Sequence, residues 1–568
     1  MIRPRNRLKR MLPFLHWPEK WRSTGIHGDI IAGITVGLIL VPQALAYAQL
    51  AGLPAHIGLY AALLPAIVAA LLGSCSVIAT GPVALTSLLT GSSVIAISAK
   101  GNVDIVQAAI LLCLLSGIIQ LILGVLKIGW LLKLLSRPVM TGFISASALL
   151  IVLSQLPAIL GIRLNRSDHF LLDLFSMLRQ LGDAQLISLL FGLITFAALL
   201  VLQRVTPKLP NILIVICIAS LIAMLTQYES HGGSVIGYIP SGLPSLGFPT
   251  FDFSLMMSLL SAALVIALVS FMEVTASAKV ITTQTGENWN QNQELISQGL
   301  AKIASAFSGG MPVSGSFSRS ALNFSSGART GFSALIATCF VVITLLYLTP
   351  FLWHLPNAVL AAVIIRVVYK LLEPKSFLQI WRTQRLDGLI AAITFITTLA
   401  FAPNIHHGML IGLLLSLLFR LYQDMYPHVV FLKSDTDDDS EELKRVSPRD
   451  QQDAEVMVVR FAGPLTFITA ENFKDTANLA IQRSHAHVLL ISAAGINALD
   501  STGINAIDNV YEAAQRKNCL LAFCGLQGQI RRILKRSDLW DRLYPHLEYE
   551  TEHQAIQALR QLREPPRV

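Results

Sequence analysis

The chain has 568 residues, 53% hydrophobic and only 14% charged, a balance that excludes an ordinary soluble globular protein. The formal net charge of +9 gathers before the first apolar run, in MIRPRNRLKR, where Arg3, Arg5, Arg7, Lys9 and Arg10 precede Lys20 and Arg22. Positive charge in that position sets membrane topology and sits at a lipid surface, so it argues against nucleic acid as a partner.

Apolar runs dominate residues 27–424. A bilayer core takes roughly 20 apolar residues per helix, and the runs predict about fourteen spans. These fall near 28–48, 57–73, 77–97, 105–126, 138–160, 186–203, 211–227, 255–279, 293–308, 313–328, 332–352, 355–371, 386–402 and 405–423. VPQALAYAQLAG has the small-residue steps of a signal-peptidase site, but the basic cluster lies far upstream of it and many spans follow, so cleavage is not expected. The segment 168–182, DHFLLDLFSMLRQLG, is amphipathic and short and is expected to lie along the interface.

Loop charge orients the spans. Lys127, Lys133 and Arg137 surround the fourth loop, Arg204 and Lys208 the sixth, and Lys370, Lys375, Arg382 and Arg385 the twelfth, whereas residues 227–253 contain no Lys or Arg. Basic loops alternate as the positive-inside rule requires, with both termini in the cytoplasm of a cell (inner) membrane. The fifth loop, with Arg163, Arg166 and Arg179, fits less well.

The domain plan is a basic N-terminal segment (1–26), a transmembrane domain (27–424), an acidic linker (425–453) and a soluble domain (454–568). The last alternates strand-like EVMVVRFAGPL, HVLLISAAGI and CLLAFCGL with helical stretches, the pattern of a small α/β sandwich. Six cysteines include no C-x-x-C pair, and His406 and His407 lack a third ligand, so no metal or other cofactor is expected.

An internal repeat points to the site. IATGPVALTSLL (78–89) and SGGMPVSGSFSRSAL (308–322) are both interrupted by Gly and Pro, and each carries Pro-Val before a short apolar helix. Pro82 and Pro312 are 230 residues apart, and the same offset carries Gln43 onto Glu273. This implies two copies of seven spans, about 27–227 and 255–424. Seven is odd, so the second copy is inverted in the membrane. The fold class is therefore a polytopic α-helical membrane domain of about 14 helices in a 7+7 inverted repeat, followed by an α/β domain.

A helix that starts inside the bilayer presents unpaired N–H groups and a partial positive end, and two such ends facing each other cradle an anion. Pro82 and Pro312 suit the first turn of those helices, where a missing N–H costs little. Glu273 lies deep in a span and Arg319 follows Ser316 and Ser318 on the second broken helix; intramembrane ionisable groups are costly and usually functional. Gln43 and Tyr47, one helical turn apart, face one cavity. Arg366 reads as a snorkelling interface residue. A desolvated carboxyl at Glu273 can take up a proton and release it as the site changes face, coupling anion uptake to the proton gradient.

VPQALAYAQLAGLPAHIGLY, TGPVALTSL, NQEL at 292–295 and SFSRS at 316–320 together resemble the SulP sulfate permease family, whose relatives include prestin and pendrin. The resemblance covers nearly the whole chain. It implies core and gate subdomains, an elevator-like homodimer and a cytoplasmic STAS domain. It also implies anion binding at Gln43, Tyr47, Thr80, Gly81, Pro82, Val83, Ser316, Phe317, Ser318 and Arg319, with proton coupling at Glu273. Sodium-coupled bicarbonate members carry Asp at that last position, so Glu favours protons. LDSTGINAI is similar to the phosphorylatable loop of anti-sigma-factor antagonists and makes Ser501 and Thr502 a candidate phosphosite, for a kinase or another cytoplasmic partner, or else a simple N-cap pair.

The expected function is proton-coupled symport of sulfate or a similar oxyanion. Sodium-coupled bicarbonate uptake, chloride/bicarbonate exchange and dicarboxylate transport remain open on the same scaffold. A nucleobase symporter lacks a STAS domain, and a membrane-anchored STAS sensor has no need of paired half-helices. With no Walker sequence and no catalytic constellation, the chain does not read as an enzyme.

Overall fold

The computed structural model describes residues 12–98, 103–130, 136–162, 170–206, 210–287, 289–372, 374–402, 404–434, 443–446, 456–483, 487–544, 546–547 and 549–561. The basic cluster of residues 3–10, together with Lys133, Arg163, Arg166, Lys208 and the acidic run 435–442, lies outside them. The chain forms two compact units, Met1–Ser416 and Leu417–Val568.

The first unit is helical. After a short α1 (Trp17–Thr24) come α2 (His27–Leu50), α3 (Ala55–Ala61), α4 (Leu64–Leu72), strand β1 (Thr80–Gly81), α5 (Ala84–Ser98), α6 (Ile105–Val125) and α7 (Arg137–Leu160). Next are α8 (Phe170–Arg179), α9 (Leu186–Val205), α10 (Asn211–Leu225), α11 (Phe253–Thr285), α12 (Gln291–Phe307), β2 (Ser314–Gly315) and α13 (Phe317–Ser325). Then come α14 (Phe332–Leu352, with a π turn over Thr344–Leu348), α15 (Asn357–Val368), α16 (Pro374–Thr383), α17 (Arg385–Ala400) and α18 (Ile405–Met425), whose residues after Ser416 are counted with the second unit.

Each expected span contains helix, although the second is two helices, α3 and α4, and the third and tenth begin with the strands β1 and β2. Among the described residues, eight helical stretches are long and apolar enough to cross a membrane. Local chemistry sets the ends. Asp252 caps α11 by accepting from the Ser254 and Leu255 amides, and Asn290 caps α12 in the same way through Asn292 and Gln293. Gly161 and Gly286, both at φ +69°, end α7 and α11.

The packing is reciprocal, as an inverted repeat requires. The fourth span, α6, packs on α11 and α12, while the eleventh, α14, packs on α2 and α4. Likewise α5 meets α11 and α13 meets α2, and α7 meets α17 as α15 meets α9. Spans one to four and eight to eleven thus form a core group, and the remaining spans form a gate group. In the core group α6 and α12 approach closely at Gly117 and Gly299: a Cβ on Gly299 would lie 2.7 Å from the Leu121 amide nitrogen. Small residues at such a crossing let two helix backbones approach in lipid.

The second unit holds a five-stranded sheet in the order β4-β3-β5-β6-β7, with β3 (His428–Ser434), β4 (Leu443–Val446), β5 (Val456–Ala462), β6 (Val488–Ser492) and β7 (Leu520–Cys524). β5, β6 and β7 run parallel, and β3 is antiparallel to both its neighbours. Alternate residues feed two cores. Met457, Val459 and Phe461 pack with α19 (Ala470–Arg483) and α20 (Ser501–Arg516), whereas Val456 and Val458 pack with α21 (Glu552–Gln561). The expected linker 425–453 is corrected here, because it contains β3 and β4. The apolar run Val429–Leu432 serves both cores, Val429 and Phe431 on one face of the sheet and Val430 and Leu432 on the other, and the neighbouring acidic run masks it in composition.

Candidate functional site

The two interrupted segments meet. Thr80 pairs with Gly315 and Gly81 with Ser314 in a two-residue antiparallel bridge, with α5 and α13 starting just after it. Further bonds fasten the crossing: the Ser316 amide donates to the Ala79 carbonyl at 3.0 Å, the Ala79 amide to Ser320 Oγ at 3.0 Å, and Asn323 Nδ2 to the Val77 carbonyl at 3.0 Å. Extended backbone inside a helical bundle would otherwise leave buried polar groups unpaired.

This geometry corrects the repeat register. Pro82 stands two residues before α5, but Pro312 lies ahead of β2, five residues before α13. The residue that enters each half-helix is Val83 in one copy and Ser316 in the other. Neither proline therefore starts a helical turn. Ser316 does, and its hydroxyl caps the helix by accepting from the Arg319 amide at 3.4 Å. The Pro-Val identity misled because the second copy has extra residues between its proline and its helix.

Arg319 reaches from α13 to α2, where Nη1 donates to Gln43 Oε1 at 3.1 Å. The arginine is 1% exposed, and its Nε and Nη2 have no hydrogen-bond partner. Tyr47, buried one turn along from Gln43, lies close enough to both Arg319 and Glu273 to feel their charges. Glu273 does not form an ion pair with Arg319, and its buried Oε2 has no hydrogen-bond partner. Thr80, Gly81, Pro82 and Ser316 are buried around this point, Val83 is half-buried, and Phe317 and Ser318 are exposed. A Cβ on Gly81 would lie 3.3 Å from Arg319 Nη2, so the guanidinium rests against the bare backbone of β1.

Sequence reasoning passed over the roles of four supports of this site. On α12, Glu294 accepts from the Ser74 and Cys75 amides at 2.9 and 3.2 Å, and Gln298 Nε2 donates to Thr80 Oγ1 at 3.0 Å. Lys302, on the same face, donates to Gln120 and Ser270. The spacing of 294, 298 and 302 puts one polar stripe on a helix expected to cross the membrane, a signal legible in NQELISQGLAK. Asp29 holds the loop after α13 by accepting from the Arg329 and Thr330 amides at 2.7 and 2.9 Å.

Other expected residues lie elsewhere. Arg366 donates to Gln203. His406 is buried and lies against the His407 ring, 4.2 Å between ring centres and tilted by 40°. In the second unit Ser501 and Thr502 are exposed in the first turn of α20, but neither is its cap. Asp500 is, accepting from the Gly503 amide at 2.8 Å and from the Phe467 amide at 2.9 Å. Its carboxylate answers the positive helix end better than a hydroxyl does.

A model described as the Sulfate permease family matches residues 26–394, and one described as the STAS domain matches residues 447–555. The chloroplastic sulfate transporter 4.1 of Arabidopsis thaliana is 30% identical, over 96% of this chain and 82% of its own. A probable sulfate transporter of Mycobacterium tuberculosis (strain H37Rv) is also 30% identical, over 97% of each chain. Among solved structures, the inward-facing murine Solute Carrier 26 family member A9 anion transporter gives a TM-score of 0.88 at 22% identity, covering 99% of this chain and 96% of that one. The transmembrane domain of a cyanobacterium bicarbonate transporter, BicA, gives 0.59 at 22% identity, covering 69% and 98%. These two likenesses concern the fold, while the family models and the full-length relatives speak to kinship. The chain belongs to the sulfate permease family and carries a C-terminal STAS domain.

Proposed function

We propose that this protein takes up sulfate or a similar small oxyanion, together with a proton, across the cell (inner) membrane. The observation that carries the reading is the buried Arg319, with two unpartnered guanidinium nitrogens, beside the starts of two half-helices. An oxyanion accepts hydrogen bonds from both nitrogens and from the backbone N–H groups of α5 and α13. Gln43 holds the guanidinium in place, and Tyr47, Thr80, Gly81, Pro82, Val83, Ser316, Phe317 and Ser318 complete the walls. Glu273 carries the proton on its unpartnered oxygen. The relatives' names as sulfate transporters support the choice of cargo.

In this reading the core group shifts against the gate group in an elevator-like step that opens the site to one face at a time. The protein works as a homodimer with both termini in the cytoplasm, where the STAS domain meets a protein partner or a kinase acting at Ser501. Uptake of labelled sulfate, bicarbonate and fumarate into proteoliposomes, each with and without a pH or sodium gradient, tests it. Sulfate accumulation driven by an inward proton gradient is expected. Accumulation of bicarbonate driven by sodium alone overturns it.

A further inference from the structure

One buried cation has no part in the transport scheme so far. Lys302, on α12, is 0% exposed. Its Nζ donates to Gln120 Oε1 at 2.7 Å and to Ser270 Oγ at 2.9 Å. Gln120 Nε2 donates in turn to the Ala267 carbonyl at 2.7 Å and to Ser270 Oγ at 3.0 Å, which turns its amide oxygen toward the lysine. Both acceptors are neutral. Among the described residues no carboxylate oxygen lies within 4.0 Å of the Lys302 ammonium. A charge brought this deep without a counter-ion is costly unless something else offsets it.

The lysine is wired to the anion site. The Ser270 carbonyl accepts from Ser314 Oγ at 2.9 Å, and Ser314 is half of the strand crossing. Glu273 lies one turn along α11 from Ser270 and is close enough to feel the lysine's charge. One turn back along α12, Gln298 holds Thr80 on the other strand. Lys302 therefore stands behind the cradle while Arg319 stands in front of it.

We propose that Lys302 is the second intramembrane cation of the anion site and selects divalent oxyanions over monovalent ones. The proposal rests on the anion-transport reading above. The charges balance as follows. Arg319 and Lys302 contribute two positive charges and ionised Glu273 one negative, leaving +1 in the empty site. A proton taken from bulk water onto Glu273 raises this to +2, which one dianion cancels. A monoanion leaves an uncompensated unit charge among the helices. Tyr47 and Cys113 nearby contribute no charge in their neutral forms, and the Glu294 carboxylate, two turns back along α12, is taken up by the Ser74 and Cys75 amides, the Ser74 hydroxyl and Gln298. With Lys302 replaced by a neutral residue, the protonated site carries only +1, and a monoanion suffices.

Sulfate and perchlorate are both tetrahedral oxyanions and differ in charge. The test titrates each into the purified full-length chain, as wild type, Lys302→Gln and Lys302→Arg, reading affinity from the ligand-induced thermal shift. Wild type should prefer sulfate. Lys302→Gln should lower the sulfate-to-perchlorate affinity ratio on the order of tenfold, and Lys302→Arg should keep it. An unchanged ratio in Lys302→Gln overturns the proposal. If that variant does not fold, wild type and Lys302→Arg still decide: equal affinity for the two anions in wild type overturns it, and a sulfate preference retained in Lys302→Arg supports it. Wild-type protein that binds neither anion and moves none in proteoliposomes defeats the transport reading itself. Wild type that binds and carries perchlorate as readily as sulfate defeats only the assignment to Lys302.

Discussion

Arg319 Nη1 and Gln43 Oε1 meet at 3.1 Å across 276 positions of chain, joining a half-helix of the second repeat to the first span of the first. Both side chains are buried, and the bond fixes one edge of the guanidinium while Nε and Nη2 stay unpartnered. A buried donor without a partner is costly, and two of them on one guanidinium beside the half-helix starts support the proposed oxyanion contact.

Replacing Arg319 should therefore abolish transport while leaving the fold. Arg319→Gln is expected to lower labelled sulfate uptake by about 100-fold, the scale of losing a buried charge-assisted contact. Gln43→Leu frees the arginine without removing its charge and should raise the KM for sulfate about tenfold with a smaller change in maximal rate. Equal loss in the two variants would point to a structural role for the pair.

Glu273 has one buried oxygen without a partner, which leaves room for a proton. Glu273→Gln mimics the protonated form and should abolish concentrative uptake driven by a pH gradient. Exchange of labelled for unlabelled sulfate across the same liposomes should persist within about threefold, since that process needs no net proton movement. Retained proton-driven accumulation would remove the carboxyl from the coupling scheme.

Close backbone approach is a second vulnerability. A Cβ on Gly58 would lie 1.9 Å from the Ala44 carbonyl oxygen, where α3 crosses α2 just beside Gln43. Gly58→Ala cannot be absorbed by turning a side chain, because the clash is with backbone. Detergent-purified protein should lose about 2 kcal/mol or more, seen as a lower melting temperature. An unchanged melting temperature would mean that α2 and α3 separate freely.

In the STAS domain, Arg460 grips Glu552 with two hydrogen bonds, Nε to Oε1 at 2.9 Å and Nη2 to Oε2 at 2.7 Å. Burial opposes ionisation of Glu552, but hydrogen bonds from Arg460 and Ser492 outweigh it and hold the carboxyl below its ordinary value of 4.5. A carboxyl depressed in the folded state stabilises it fully above the unfolded value, and that contribution disappears as pH falls through the lower folded one. Arg460→Gln should thus speed hydrogen exchange in β5 of the full-length chain at neutral pH. The difference from wild type should shrink below about pH 4.5. A difference that persists unchanged in acid would assign the effect to packing.

The tenth span shows how far sequence reading goes. SGGMPVSGSFSRSAL announces an interrupted helix with a serine-rich start and a buried arginine, and the structure has all three features. The helix begins at Phe317, however, and the proline that seemed to mark its start lies ahead of a strand. Periodicity and breakers are local signals, while the register between two copies is set by what pairs across the crossing. The polar stripe of α12 was legible in the same local sense, but nothing in NQELISQGLAK says that its partners are Ser74, Thr80 and Gln120.

Hydropathy, loop charge and repeated Gly/Pro breaks determined by themselves that this chain is a many-spanned membrane protein with a doubled architecture and a separate α/β domain, because each depends on residues near one another in sequence. Only the tertiary structure decided that Arg319 rests on Gln43, that Lys302 backs the strand crossing and that β3 and β4 belong to the STAS sheet. Those contacts join segments far apart in the chain, and their partners are chosen by packing and by the cost of leaving buried polar groups unpaired, which no local pattern encodes.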